Sequence, residues 1–568
     1  MSDKQFSYSQ YQTAIFDWIQ HGCGNAVVKA AAGCGKTTTI VHAMTLVPSD
    51  KRCLFLAFNK SIVEELQDRV KDYDNCRVCT IHSLGFSLMR GVLGEDIAID
   101  EYKYAKYVRE NILNISQTID NDTSPSVVEQ FVQTVLELVD FSRANLCQSA
   151  KEITRAAAKY GITPIGDECD CVAQILDWGK DNTETMDYGD MVWLPYELSV
   201  DPKGQRYDWV LIDECQDFSK AYIDLFKRCF KRGTRFIAVG DKWQCINIFA
   251  GADEKSFDSL CRMPNTTTFE LPISYRCDKN IVSLARKYNP SIQWSDSALE
   301  GIIDKDGHID DIQGYDMVLC RSNAPLMTVY TRLLERNVPC YIKGGGNGEY
   351  LMRMLSSVDR QLLSKSFVAD GFFPQLYISI LDLRDNIAQR NHITKDEATS
   401  SASVLYMYDA IKSLEDISRG FVYKEDLEER VSKIFAETNE GVCLSTIHKS
   451  KGLEADSVYI IGGLNLPSKN AKKDWEVFQE RNLTYVAYTR AKHKLAFLSE
   501  DEVPLTGAAN RQQSIVSDFR TMEERASFIL GREILREEDY LVRNITAEEE
   551  PSSPTAKKSL DDIIGELS

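Results

Sequence analysis

The chain has 568 residues, 43% of them hydrophobic and 27% charged, and a formal net charge of −19. Those proportions suit a globular protein with sizeable cores, and at about 150 residues per domain the length corresponds to three or four domains. No run reaches the roughly 18 apolar residues of a membrane-spanning helix, and residues 1–10 lack the apolar stretch of a secretory leader, so the expected location is the compartment of synthesis. The acidic excess argues against a uniformly basic, nucleic-acid-binding surface. Binding depends on a local groove, however, and part of the acid lies in the tail, at Glu548, Glu549 and Glu550. Sixteen cysteines without a secretory leader read as reduced thiols. The single Cys-x-x-Cys, Cys76 and Cys79, has no second pair at zinc-finger spacing.

Along the chain, residues 26–29 form an apolar run, residues 30–35 a loop of small residues, and Lys36 to Val41 the start of a helix. Further apolar runs follow at 54–58, 207–212 and 235–239, the last two ending in Asp213-Glu214 and Gly240-Asp241. Buried strands alternating with helices and ending in polar residues indicate a parallel α/β sheet, whose ligands bind at the carboxyl ends of the strands. Residues of about 99–180 are rich in helix formers, with Val128, Phe131, Val132, Val135 and Leu138 at helical spacing, and read as a helical insertion. A second α/β pattern starts at 317–320 and resumes at 442–445 and 457–461. Between them, 346–439 is mostly helical, bounded by Gly344, Gly345 and Gly346. A helical segment follows residue 506. The tail containing Pro551 and Pro554 is polar and expected to be disordered.

The loop Ala30-Ala-Ala-Gly-Cys-Gly-Lys-Thr37 carries the chemistry of a phosphate site. Gly33 and Gly35 permit the tight turn that aims backbone N–H groups, including those around Ala32 and Cys34, at a phosphate. Lys36 supplies charge to the β- and γ-phosphates, and Thr37 offers a hydroxyl to Mg²⁺. Ala30 replaces the first glycine of the usual G-x-x-x-x-G-K-[ST] pattern, but the strand before and the helix after supply the context. Asp213 and Glu214 close an apolar strand, as needed for one carboxylate on Mg²⁺ and one that polarises the attacking water.

With Gln216-Asp217 following, Asp213-Glu214-Cys215-Gln216-Asp217 resembles the D-E-x-Q-D motif of UvrD/Rep-type superfamily 1 helicases. Other stretches resemble that family's motifs in order. These are Tyr11-Gln12 (Q motif), Asn59-Lys60 with Glu64-Glu65-Leu66 (Ia), Thr80-Ile81-His82-Ser83 (Ib), and Gly240-Asp241 with Gln244 and Phe249-Ala250-Gly251-Ala252 (III). Ser274-Tyr275-Arg276 (IV), Thr446 to Glu454 (V) and Glu480 to Ala491 (VI) complete the series, which spans residues 12 to 491. The phrase Leu56-Ala-Phe-Asn-Lys60 is closer to phage-encoded and F-box DNA helicases, although no F-box is apparent. Thr38 stands where many relatives carry an arginine near the base. Asn247 and Ala250 replace the aromatic and the arginine often seen in motif III.

The resemblance implies two RecA-like P-loop lobes with ATP and Mg²⁺ between them. Lobe 1 would be formed by 1–98 and 181–270 around the 99–180 insertion. Lobe 2 would be formed by 271–345 and 440–505 around a reduced accessory insertion at 346–439, followed by a helical extension at 506–550 and the tail at 551–568. It assigns adenine contact to Gln12 and Tyr275, with Thr38 at the nucleotide, γ-phosphate sensing to Gln244, arginine fingers to Arg276 and Arg490, and the ribose side to Glu454 beside Gly452. Phe58, Asn59, His82, Thr446 and His448 would contact single-stranded DNA, and Phe249 would stack a base. The expected activity is ATP-dependent translocation with unwinding of tailed duplexes, 3′ to 5′, in replication, recombination or repair. The alternative is a translocase that strips bound proteins with little unwinding. Only 78 residues follow Arg490, too few for a nuclease domain. The intact Lys36, Asp213, Glu214, Arg276 and Arg490 argue against a dead ATPase fold serving as an interaction protein. The chain is expected to act as a monomer or weak self-associate in the cytoplasm, or in the nucleus of a eukaryote. Leu560, Ile563, Ile564 and Leu567 make one helical face at the extreme C-terminus, suited to docking a replication or repair protein.

Overall fold

The computed structural model describes residues 8–524 except 58–61, 65, 68–74, 121–122, 124, 161, 163, 165, 203, 247–254, 344–345, 358–371, 391–392, 400, 419–423, 436–439, 464–465, 468–470, 472, 500–501 and 504–517. Phe58, Asn59, Phe249, the Gly344-Gly345 boundary and the 551–568 tail lie outside the described residues. Of the expected 506–550 extension, only the helical stretch 518–524 lies within them.

The first lobe begins with β1 (Asn25–Ala30), β2 (Cys53–Ala57) and β3 (Cys76–Thr80). A two-residue ladder of β4 (Ala98–Ile99) and β5 (Thr185–Met186) closes the base of a helical insertion. The lobe resumes with β6 (Tyr207–Ile212), β7 (Phe230–Gly240) and β8 (Thr266–Leu271). The sheet order is β3-β2-β6-β7-β1-β8, with every pairing parallel. Another short ladder, β9 (Ile273–Ser274) on β10 (Gln293–Trp294), leads into the second lobe. There β11 (Ile302–Gly307), β12 (Met317–Cys320), β13 (Cys340–Ile342), β14 (Val442–Thr446), β15 (Ala455–Ile461) and β16 (Ala491–Leu498) form a second parallel sheet in the order β11-β16-β15-β12-β14-β13. The α/β expectation therefore holds, with two six-stranded parallel sheets.

Central strands are buried on both faces, so they read as continuous apolar runs. All five residues of β2, all four of β12 and all five of β14 are buried. The edge strand β8 carries no such run, being Thr-Thr-Thr-Phe-Glu-Leu with only its last residue buried, and β16 starts Ala-Lys-His-Lys before its apolar half, so both went unread in the sequence. β7 likewise extends upstream of 235–239 into the polar Lys231–Thr234 stretch.

The first insertion contains helices Lys103–Ile115, Pro125–Asn145, Ala150–Tyr160 and Glu168–Asp181. Phe131, Val132, Val135 and Leu138 are fully buried, as their spacing predicts. The insertion is clamped to lobe 1 by buried charge. The Arg143 guanidinium lies 2.7 Å from Asp187 and 3.0 Å from Asp190, which also takes Lys103 Nζ and the Tyr104 hydroxyl at 2.6 Å each. Asp187 accepts from the Asp190 amide and so caps helix Tyr188–Glu197, which leads back to β6. In lobe 2, helices Gly346–Ser357, Phe372–Arg390, Lys395–Ala398, Ala402–Ile417 and Lys424–Ile434 form the second insertion. Its Asp409 caps helix Ala324–Glu335 by accepting from the Asn323 and Ala324 amides. Stretch 518–524 packs back on it, with Phe519 stacked on Tyr408 and Glu523 paired to Arg384. Helices Pro125–Asn145 and Phe372–Arg390 pack together, joining the two insertions. Among the described residues no helix is long and apolar enough to cross a membrane.

Removing one partner of a buried ion network leaves the others desolvated and uncompensated. Arg143→Ala is expected to destabilise the chain by about 3–5 kcal/mol, seen as a lower urea midpoint by circular dichroism. A midpoint equal to that of the unmodified chain would show that the clamp carries no stability.

Candidate nucleotide cleft between the lobes

The loop from β1 to helix Lys36–Thr45 needs two left-handed turns, and glycine occupies both, with φ of +69° at Gly33 and +76° at Gly35. Gly33 is also a close approach, since a Cβ there would sit 2.5 Å from the Cβ of Arg276. The Gly33 carbonyl accepts from the Tyr275 amide at 2.9 Å. Ala32 and Cys34 are buried within the loop, and burial pushes the Cys34 thiol up to about 12 against the pull of Lys36. Thr37 is half-buried in the first helical turn and Thr38 is exposed. Gln12 is buried beneath the loop, where Oε1 accepts from the Ser9 amide and Nε2 donates to Thr39 Oγ1 at 2.9 Å.

A continuous chain of polar contacts runs from this loop to the other lobe. Lys36 Nζ lies 2.9 Å from Glu214 Oε1. The other oxygen of Glu214 accepts from Gln216 Nε2. Gln216 Oε1 accepts from the Asp241 amide at 3.0 Å, and Asp241 Oδ2 accepts from Gln244 Nε2 at 2.8 Å. Gln244 Oε1 then accepts from Arg490 Nη2 at 3.4 Å. Burial opposes charge at each member. It works against the Lys36 ammonium, but Glu214, Asp241 and Asp213 hold the proton on. It works against the Glu214 carboxylate, but Lys36 and Lys451 keep it ionised well below the usual range. Asp241 is pushed up to about 6 by burial despite Lys36. Arg490 is lowered to about 10 by burial and by the Arg276 charge.

Asp213 is buried at the end of β6. Its Oδ1 accepts from the Glu214 amide, and its Oδ2 has no hydrogen-bond partner among the described residues. Burial and the neighbouring Glu214 raise its pKa. A desolvated, unsatisfied carboxylate oxygen at the end of β6 is a donor that fits a hard divalent cation.

Further contacts lie at the same place, some between the lobes and some within the second. The Ala32 amide donates to the Tyr485 hydroxyl at 2.9 Å, and Asn289 Nδ2 donates to the same oxygen at 3.2 Å. Lys451 Nζ pairs with Asp217 and donates to the Gln244 carbonyl at 3.0 Å. Asn482 Nδ2 donates to the Cys245 carbonyl at 2.8 Å. Arg276 pairs with Glu454 at 2.6 Å, and Lys492 lies 3.3 Å from the same carboxylate. Gly452, with φ +87°, starts the turn that brings Glu454 there. Tyr11, Cys34, Pro272 and the exposed Tyr275 line a shallow depression alongside.

The structure therefore brings together Gln12, the 32–37 loop, Asp213, Glu214, Gln244, Tyr275, Arg276, Glu454 and Arg490. Three residues lie apart at strand ends. His82 follows β3 and has Nε2 3.2 Å from the Tyr222 hydroxyl, its proton disfavoured by burial. Thr446 ends β14, and His448 follows it with a pKa lowered to about 3 by burial and Arg321. Asp217, Asp241, Lys451, Asn482 and Tyr485 complete the cleft although the sequence reading assigned them no role. All five lie inside or beside the motif stretches, which is the signal that could have found them.

Comparison with known proteins agrees with this geometry. The UvrD/REP helicase N-terminal domain matches residues 12–263 and the UvrD-like helicase C-terminal domain residues 441–498. The chain is 23% identical over 517 residues to F-box DNA helicase protein 1 of Schizosaccharomyces pombe, covering 82% of this chain and 55% of that protein. It is 22% identical to ATP-dependent DNA helicase Rep of Buchnera aphidicola, over 49% of this chain and 42% of that protein. DNA helicase II of Escherichia coli is 21% identical, over 83% and 82% of the two chains. The chain thus spans about half the length of the first two relatives and most of the third. With both family domains matched in order on two parallel P-loop-type lobes, the chain belongs to the UvrD/Rep-like superfamily 1 helicase family.

Proposed function

We propose that this chain is an ATP-driven motor that moves along single-stranded DNA and separates duplex strands, 3′ to 5′, in replication, recombination or repair. The observation that carries the reading is the unbroken polar chain from Lys36 in one lobe to Arg490 in the other. Phosphoryl transfer is catalysed mainly by positioning and by cations near the γ-phosphate. Lys36 and the 32–35 amides would hold the phosphates, while Arg276 and Arg490 reach the cleft from the second lobe. Thr37 and Asp213 Oδ2 would hold Mg²⁺, which when bound neutralises the β- and γ-phosphate oxygens. Glu214, kept ionised at neutral pH, suits orientation of the attacking water. The Lys36–Glu214 pair must loosen for Lys36 to meet phosphate, which frees Glu214 at the moment substrate arrives. Since Gln244 touches both Asp241 and Arg490, a change at the γ-phosphate is felt by the contact between the lobes, a hinge-type switch. DNA contacts at His82, Thr446 and His448, each neutral at physiological pH, would grip the backbone without sequence preference, which suits an acidic protein on an acidic polymer.

Lys36→Ala is expected to abolish ATP hydrolysis while retaining affinity for a single-stranded oligonucleotide, checked by phosphate release and fluorescence anisotropy. Hydrolysis at the unmodified rate would refute the site. With the unmodified chain, ATP should drive displacement of a 3′-tailed duplex and not a 5′-tailed one. Removal of a bound protein from single strands without strand displacement would favour the stripping translocase instead. Tyr485→Phe, which removes the acceptor for the Ala32 amide, is expected to raise the KM for ATP severalfold with a smaller change in kcat. An unchanged KM would mean that the hydroxyl does not shape the phosphate loop.

A further inference from the structure

Helix Asp474–Tyr488 reaches the phosphate loop at its carboxyl end, where Tyr485 receives the Ala32 amide and Arg490 follows. Its amino end belongs to none of the motif stretches and rests on the first insertion. Trp475, in the first turn, has its ring centroid 5.9 Å from that of Tyr160, with the planes tilted by 52°. Tyr160 in turn packs on Phe141 at 4.9 Å, and Phe141 stands two residues before the Arg143 of the buried ion clamp. Phe141, Tyr160 and Cys245 are buried together, and Trp475 and Phe478 pack against them. Beside the rings, Lys473 Nζ donates to the Ala158 carbonyl at 3.3 Å, in the last turn of helix Ala150–Tyr160. That places a cation at the helix's carboxyl end, the favourable sign for its dipole.

The spacing of these contacts makes the helix a lever. Trp475, Phe478, Asn482 and Tyr485 recur at intervals of three, four and three residues, so they form one face. That face lies along the first lobe and its insertion. Trp475 meets Tyr160, and Phe478 lies beside Trp243 with ring centroids 6.2 Å apart. Asn482 donates to the Cys245 carbonyl, and Tyr485 accepts from the Ala32 amide. At 1.5 Å of rise per residue, about 20 Å separates Trp475 from the turn that carries Arg490. A helix is stiff over that length, so a sideways shift of its first turn is felt at the guanidinium. Trp475 Nε1 is buried with no hydrogen-bond partner among the described residues. The dock is therefore a contact of ring shape and area, not of hydrogen bonding.

We propose that Trp475 is a positioning residue for Arg490. Seated on the first insertion, it fixes the helix that presents the guanidinium to the cleft, so the seating of the insertion sets the rate of hydrolysis. The inference rests on the motor reading, in which Arg490 acts on the nucleotide, and the following experiment separates the two. ATP hydrolysis by the full chain is measured with saturating oligothymidine, per nucleotide site titrated with the fluorescent analogue N-methylanthraniloyl-ATP, so that unfolded protein does not count. Trp475→Ala and Tyr160→Ala are each expected to lower kcat about 2- to 10-fold, the range of one aromatic pair. The change in KM for ATP should be smaller, since Lys36 and the phosphate loop lie on the other lobe. The double variant should be no slower than the slower single one, because each ring acts through the other. Trp475→Phe should retain the unmodified rate. An unchanged kcat per site in Trp475→Ala, or losses that multiply in the double variant, would overturn the positioning role and leave the motor standing. Hydrolysis by Arg490→Ala at the unmodified rate would instead overturn the reading of the cleft.

Discussion

The half-buried Lys36–Glu214 pair is the contact on which the rest of the cleft is organised. Each charge is largely shielded from water, and each is compensated by the other 2.9 Å away. A pair of this kind is poor ballast for stability, because two well-packed apolar side chains would serve as well. Its value lies in being exchangeable. In the proposed motor a phosphate would replace Glu214 as the partner of Lys36, and the freed carboxylate would pass the change to Gln216, Asp241 and Gln244 through contacts already in place.

The same economy explains why so many interlobe contacts converge on one loop. The Tyr485 hydroxyl, the Tyr275 amide and the Arg276 side chain all meet Ala32 or Gly33. Backbone N–H and C=O groups of a phosphate loop are strong, obligatory hydrogen-bonding groups, and the second lobe supplies partners for them. The partners come from both ends of that lobe's chain, residues 274–276 and 482–490, so the loop reports on the position of the lobe as a whole. Lys451 with Asp217, and Asn482 with the Cys245 carbonyl, extend the seam away from the loop.

The insertions are built on different physics. The first is tied down by ions sealed from water around Arg143, and the second by apolar helices and the Asp409 cap on helix Ala324–Glu335. They meet through helices Pro125–Asn145 and Phe372–Arg390. Each lobe thus carries a helical arm, and the arms touch outside the cleft. A displacement at the loop would have to be accommodated at that second contact as well.

Much of the fold and of the site was legible in residue order. Gly33 and Gly35 are demanded by local backbone geometry. Strands such as β2, β12 and β14 announce themselves because burial on both faces leaves no room for polar residues. Asp213-Glu214 at a strand end, and the Phe131–Leu138 helical stripe, are local patterns of the same kind. What residue order left open was decided by distance in the chain. The Tyr485 hydroxyl reaches an amide 453 residues away, Arg490 reaches Gln244 across 246, and Asp409 reaches Asn323 across 86. Such pairings have no periodicity to betray them. Strands such as the half-exposed β8 and the partly polar β16 lack one for another reason, since only one part of each needs to be apolar. Local steric and burial demands are written in neighbouring residues. The partners of buried polar atoms are chosen only when the sheets and insertions have packed.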